Sequence, residues 1–377
     1  MTSAERIRQA REISGLTQQE LAERVGLNQS NIARLEQGFI EPVDAIVAGI
    51  AIATGFPVDF FRVDPRVNIS AGSLLYRKRV KLKSSHRATL RQTARLLLEL
   101  HSAMAERCGD VPTTVSVSKN SPIDAAKEVR ATLGLAPGQP IQNLVRAVER
   151  LGVFVIALPF DIDEHDAFST WATSSEKPIL AISSGKSGDR LRFSVAHELG
   201  HLILHRSVGV ADKTHEREAD LFASELLIPQ AAMLLEMVPP LSLEKLAELK
   251  AHWGVSIQAL LVSALRLEVV TTRQYKYLMQ KIAVRGWRKK EPVEISVERP
   301  RLFRQMVEAL YGDPIPTRKV SEAFSIPERL LVSILSVHAG RNDIANQILA
   351  PKPSKMLEFK RSQDRRLQRP STKQFFP

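Results

Sequence analysis

The sequence predicts a mostly α-helical chain with a small β-sheet, an α+β arrangement, and three observations carry that expectation. Apolar residues recur at helical spacing along most of the 377 residues, and several of these runs have capping residues ahead of them and Gly behind. Short apolar stretches suited to strands lie mid-chain at 153–158, 168–172 and 179–183. A helical stretch from about residue 189 follows them and carries His197, Glu198 and His201.

The helices begin at once. Residues 5–14 read as a first helix, and 16–26 as a second in which Thr17 is the N-cap, Glu20 closes a capping box and Gly26 stops the chain. A third, over 28–38, is capped by Asn28 and stopped by Gly38, and turns Ile32 and Leu35 toward Leu21, Ala22 and Val25. Two short helices, a tight Gly turn and a polar outer face make a helix-turn-helix. Through about residue 61 this stretch resembles the helix-turn-helix of phage repressors and XRE-type regulators. The resemblance implies double-stranded DNA as partner and the third helix in the major groove. Gln29, Ser30 and Arg34 would then face base edges, Asn28 and Asn31 the backbone, and Gln18 a phosphate. The competing reading is a helical bundle for protein contacts. A short, polar face almost free of acids favours the groove, with Glu36 as a departure from a basic surface.

A fourth helix follows over 43–54 with Gly55 as its stop, and 58–61 closes the bundle, giving a first domain over 1–61. Residues 62–139 read as a helical connector. Its basic run at 77–83 is expected to be a solvated face that can also follow phosphate. Leu90, Ala94, Leu97, Leu98 and Ala105 mark one long amphipathic helix over 86–107, which either packs within the chain, joins domains or pairs subunits. A polar loop containing Pro112 and Pro122 precedes a helix over 123–133.

A third unit is expected over 140–270, opening with a helix at 141–151 and the three strands. On the helix after them, His197 and His201 stand at i and i+4 and so share a face; together they can hold one Zn2+ while Glu198 serves as general base toward water at the metal. A second helical pattern from Thr214 sets Glu216 and Asp220 at i and i+4. Glu216 can supply the third ligand, and Asp220 can accept the outer N–H of a ligand histidine. Phe193 to His205, followed by Glu216 to Pro229, resembles the motif pair of the ImmA/IrrE family of metallopeptidases. That resemblance implies His197, His201 and Glu216 as zinc ligands and Glu198 as catalytic base, with one zinc per chain. Glu218 competes for the third position, though its spacing aims it at another helix face. His205 is expected to support the site from outside the ligand set. The stretch 168–172 is the expected edge strand, able to pair with an extended peptide, with Trp171 engaged in packing.

Beyond Pro229, residues 243–253 and 256–267 read as a helical hairpin turning at Gly254. Residues 271–350 are expected to form a helical C-terminal region without assigned chemistry. Residues 351–377, with eight Lys or Arg against Glu358 and Asp364, are expected to be a disordered basic tail. No internal repeat is visible. The formal net charge of +12 points to a polyanionic partner. Cys108, the single cysteine, excludes an intramolecular disulfide, and no apolar run spans a membrane or forms a signal peptide. A cytoplasmic protein is expected, acting as a homodimer on a palindromic DNA site. The resemblance implies cleavage of a repressor-type regulator in mobile-element or stress control. The alternative is a transcriptional or antitoxin-like regulator whose zinc domain senses a signal without cleaving, against which an intact Glu198 argues.

Overall fold

Capping chemistry sets the N-terminal helices. The computed structural model describes residues 2–65, 67, 84–159, 167–171, 177–183, 185–206 and 212–343; the basic run at 77–83 and the tail over 351–377 lie outside the described residues. Helix α1 spans Ala4–Ile13, α2 Gln18–Val25, α3 Gln29–Glu36 and α4 Asp44–Thr54, with a 3-10 turn at Val58–Arg62. Thr17 and Glu20 close the capping box of α2, and Gly26 ends that helix in the left-handed region at φ 70°. Asn28 caps α3 by accepting from the Asn31 N–H at 2.8 Å. Glu36 is corrected by the structure. Its carboxylate is turned inward, 3% exposed, where Arg11 pairs with it and Gln18 Nε2 donates to it at 2.8 Å.

Helix α5, Ser84–Cys108, is packed within the chain rather than strung between domains. It lies along α1, with Arg6 pairing to Glu99 at 2.7 Å and Gln92 Nε2 donating to Glu12 at 3.0 Å. Leu90, Ala94, Leu97 and Leu98 are buried, so its apolar stripe is spent on intrachain core. Helix α6, Pro122–Thr132, starts on the proline that the sequence assigns to the loop, because Pro is tolerated where no N–H is needed and Ser121 caps the turn. Helix α7 runs only Leu144–Arg150, since the Asn143 side chain accepts from Arg146 N and sets the start there.

Strands β1 (Phe154–Ala157), β2 (Ala167–Trp171) and β3 (Pro178–Ile182) form one sheet in the order β1-β3-β2, with β1 parallel and β2 antiparallel to β3. Alternation along β1 and β3 serves two cores. Val155, Ala157, Leu180 and Ile182 face a core completed by α8 (Gly188–Leu204), α9 (Lys213–Leu227), α11 (Leu243–Trp253) and α12 (Ile257–Arg266). Phe154, Ile156, Ile179 and Ala181 face a second core, shared with α1–α5 and with α14 (Leu302–Tyr311), α15 (Thr317–Phe324) and α16 (Glu328–Val337). Among the described residues the remaining α-helices are α10 (Gln230–Glu236) and α13 (Thr272–Val284). Among the described residues no helix is long and apolar enough to cross a membrane.

Two buried carboxylates lock these layers. Glu298 pairs with Arg192 of α8 and accepts from Val145 N at 2.8 Å at the start of α7. Glu149 of α7 in turn accepts from Arg301 N at 2.8 Å and Leu302 N at 2.7 Å, at the start of α14. Burial pushes both carboxyls above the usual range, against the pull of these donors.

Candidate metal centre and DNA-reading face

Helices α8 and α9 approach closely at Gly200, where a Cβ would lie 3.0 Å from Phe222 Cδ1 and 3.3 Å from Ala219 Cα. That approach brings Glu216 of α9 to the histidines of α8. The His197 and His201 Nε2 atoms are 3.1 Å apart, and Glu216 oxygens lie 3.6 Å from the first and 3.4 Å from the second. These three groups can hold a metal ion.

Outer contacts fix the protons. His197 Nδ1 lies 2.7 Å from Asp220 Oδ1, so it carries the hydrogen and leaves Nε2 bare. His205 Nε2 lies 2.8 Å from Glu218 Oε2, and its Nδ1 lies 3.0 Å from His201 Nδ1. With His205 donating to Glu218, its Nδ1 accepts from His201, which leaves the His201 Nε2 bare as well. Burial holds the His205 pKa below its ordinary value despite the Glu218 bond, consistent with this neutral role. Two imidazole lone pairs and a carboxylate oxygen therefore converge. A cation satisfies that arrangement: the three ligand atoms lie within 4.8 Å of one another, and the 3.1 Å between the imidazole nitrogens is close to the edge of a tetrahedron with 2.0–2.1 Å bonds, roughly 3.3 Å.

Sequence reasoning missed one partner of this centre. Ser169 of β2 lies with its Oγ 2.7 Å from Glu198 Oε2 and 3.0 Å from the Glu198 carbonyl oxygen. Strand and helix are far apart in sequence, so no spacing signals the contact. Glu218 is turned to His205, and Trp171 packs against the core while its Nε1 donates to Leu202 O at 3.1 Å.

On α3, Asn28, Gln29, Ser30 and Arg34 are exposed and Asn31 is half-buried, so the residues chosen from sequence lie together on one short outer face. Ser30 Oγ donates to Asn28 Oδ1 at 2.8 Å, while half-buried Gln18 stands at the start of α2.

Residues 4–59 match the family model described as a helix-turn-helix domain, and residues 148–264 match that described as an IrrE N-terminal-like domain. The chain joins a DNA-binding helix-turn-helix domain to an IrrE-like peptidase domain. The second match contains both metal-site helices and all three strands of the sheet. A comparison with curated proteins found no match.

Proposed function

We propose that the chain is a DNA-binding, zinc-dependent endopeptidase of the His-Glu-x-x-His type, acting in the cytoplasm on a repressor-type regulator of mobile-element or stress genes. The observation that carries this reading is the convergence of two unprotonated imidazole nitrogens, 3.1 Å apart, and the Glu216 carboxylate, with one ligand atom from each residue within 4.8 Å of the others. His197, His201 and Glu216 hold one zinc per chain, and Asp220 and His205 orient the two histidines. A bound zinc supplies Lewis acidity that lowers the pKa of water and polarises a peptide carbonyl. Glu198 takes the proton from the attacking water and hands it to the leaving amine. Strand β2, at the sheet edge, pairs with the extended substrate backbone. In the helix-turn-helix Gln29, Ser30 and Arg34 read base edges, Asn28 and Asn31 stand at the backbone, and Gln18 meets a phosphate with its remaining amide hydrogen.

Elemental analysis tests the ligand set. The purified chain is expected to carry one zinc, and Glu216→Ala to lose it, because two protein ligands hold the ion poorly; full occupancy in Glu216→Ala reassigns the third ligand. Glu198→Gln is expected to keep zinc and fold while losing cleavage of a repressor that the parent cuts. Cleavage by Glu198→Gln at the parental rate overturns the mechanism.

A further inference from the structure

The C-terminal helices repeat the geometry of the N-terminal reader. Helices α2 and α15 are each 8 residues long and end in a left-handed residue, Gly26 at φ 70° and Ser325 at φ 51°. Two residues beyond that turn the capping position follows, Asn28 in one and Pro327 in the other, and the next helix begins one residue later. The buried positions keep register: Leu21 corresponds to Val320, Ala22 to Ser321, Ile32 to Leu331 and Leu35 to Ile334, and all of these are buried. The preceding helices, α1 and α14, both pack along α5. Ser325 takes a conformation that Gly normally supplies, which is why the sequence hides the repeat.

Exposure follows the same register. On α3 the outward positions are Gln29, Ser30, Ala33, Arg34 and Gln37; on α16 they are Glu328, Arg329, Val332, Ser333 and Ser336, with Ala33 and Ser333 half-buried and the others exposed. Arg329 is turned toward the first unit, where its Nη2 donates to Thr54 O at 2.9 Å. The remaining face is short, with a carboxylate and two hydroxyls and Val332 as its apolar member. Its hydroxyls adapt to either base-edge partner, whereas a protein-docking face would carry larger apolar anchors; Glu328 is the one acid on it. Arg318 and Lys319 are exposed in the first turn of α15, where a helix-turn-helix meets phosphate. By contrast α11 and α12 also turn at a left-handed Gly254, yet most of α11 is buried and Ile257, Leu260, Leu261 and Ala264 of α12 belong to the core beside the candidate metal site, so a turn alone does not make a reader.

We infer that residues 302–337 form a second helix-turn-helix that binds duplex DNA, so that one chain carries two unlike readers braced on α5 and engages two half-sites. This rests on the first unit being a DNA reader.

The test uses the full chain and a duplex that it selects from a randomised pool, with hydroxyl-radical footprinting and stoichiometry by analytical ultracentrifugation. One chain per duplex is expected to protect two segments. Val332→Glu/Ser336→Glu, on the exposed face, is expected to erase one segment and weaken binding on the order of tenfold or more, while Gln29→Ala/Arg34→Ala weakens protection of the other. Arg318→Glu/Lys319→Glu, at two exposed positions, is a second probe of the same segment if the first pair disturbs folding by circular dichroism. Two chains per duplex, or a footprint unchanged by both sets of C-terminal substitutions, overturns the second reader and leaves a brace or protein-docking unit. Absence of any selected duplex overturns the first reading along with it.

Discussion

Burial decides the protonation of His338. Its Nδ1 donates to Ile334 O at 2.7 Å and its ring lies against Phe303, and loss of water drives its pKa from 6.5 down to about 4. The folded state therefore takes up this proton at lower pH than the unfolded chain. The stabilisation is complete above about 6.5 and is lost as pH falls from there to about 4, a change of about 3 kcal/mol. Urea unfolding of metal-free parent and His338→Gln protein should show it: the variant is less stable at neutral pH, and its stability declines less steeply between those limits. At the metal centre the same scale applies to Asp220. Removing its hold on His197 Nδ1 in Asp220→Ala is expected to weaken zinc affinity by roughly 10- to 100-fold, measured by competition with a chelator, with the far-ultraviolet spectrum unchanged.

Elements show what the sequence can and cannot reveal. Thr17, Glu20, Gly26 and Asn28 act within four residues of themselves, so α2 and α3 could be drawn from the sequence almost to their ends. The histidine pair is equally local, one helical turn, and Glu216 with Asp220 is another, which made the candidate centre legible as two i, i+4 pairs. What joins the pairs was not legible. Gly200 reads as an ordinary weak helix residue, yet it is the point where α8 meets Ala219 and Phe222 of α9. The buried caps Glu298 and Glu149 act on helices far away in sequence, and the Ser169 contact to Glu198 depends on how an edge strand crosses a helix. Helix α10 was missed because it follows Pro229 and carries exposed Leu234 and Leu235, which blur its periodicity. Gly200→Ala is the test of the junction. Propensity alone favours Ala in a helix by about 1 kcal/mol, but Phe222 is fully buried and Ala219 contributes backbone, so neither can move freely. The variant is expected to be less stable than the parent by thermal melting and to bind zinc more weakly, as α9 is pushed from α8; a rise in melting temperature at unchanged affinity would show that the contact is slack.

At the scale of the molecule the sheet is a common wall. One face supports the helices of the candidate metal centre, and the other supports α5, the helix-turn-helix bundle and the C-terminal helices. The reader is therefore not a bead on a tether: Arg6, Glu12 and Arg11 of α1 are buried, and α5 supplies Glu99 and Gln92 to the first two. A buried charge stripped of its partner is costly, so separating the bundle from α5 strands those groups. Unfolding of the two cores is expected to be coupled, and the tryptophans make this measurable. Trp253 and Trp287 lie in the metal-site core and Trp171 packs on it, so their fluorescence follows that core alone. Amide exchange over α1–α4 follows the other. Zinc at a thousandfold excess over its Kd adds about 4 kcal/mol to whatever unfolds with its site. If the shared wall makes the cores one cooperative unit, zinc slows exchange of the most protected amides in α1–α4 as well as raising the fluorescence midpoint. Protection in α1–α4 that ignores zinc while the fluorescence midpoint climbs would mean that the bundle opens on its own, and that the second face of the sheet is a dock rather than a core.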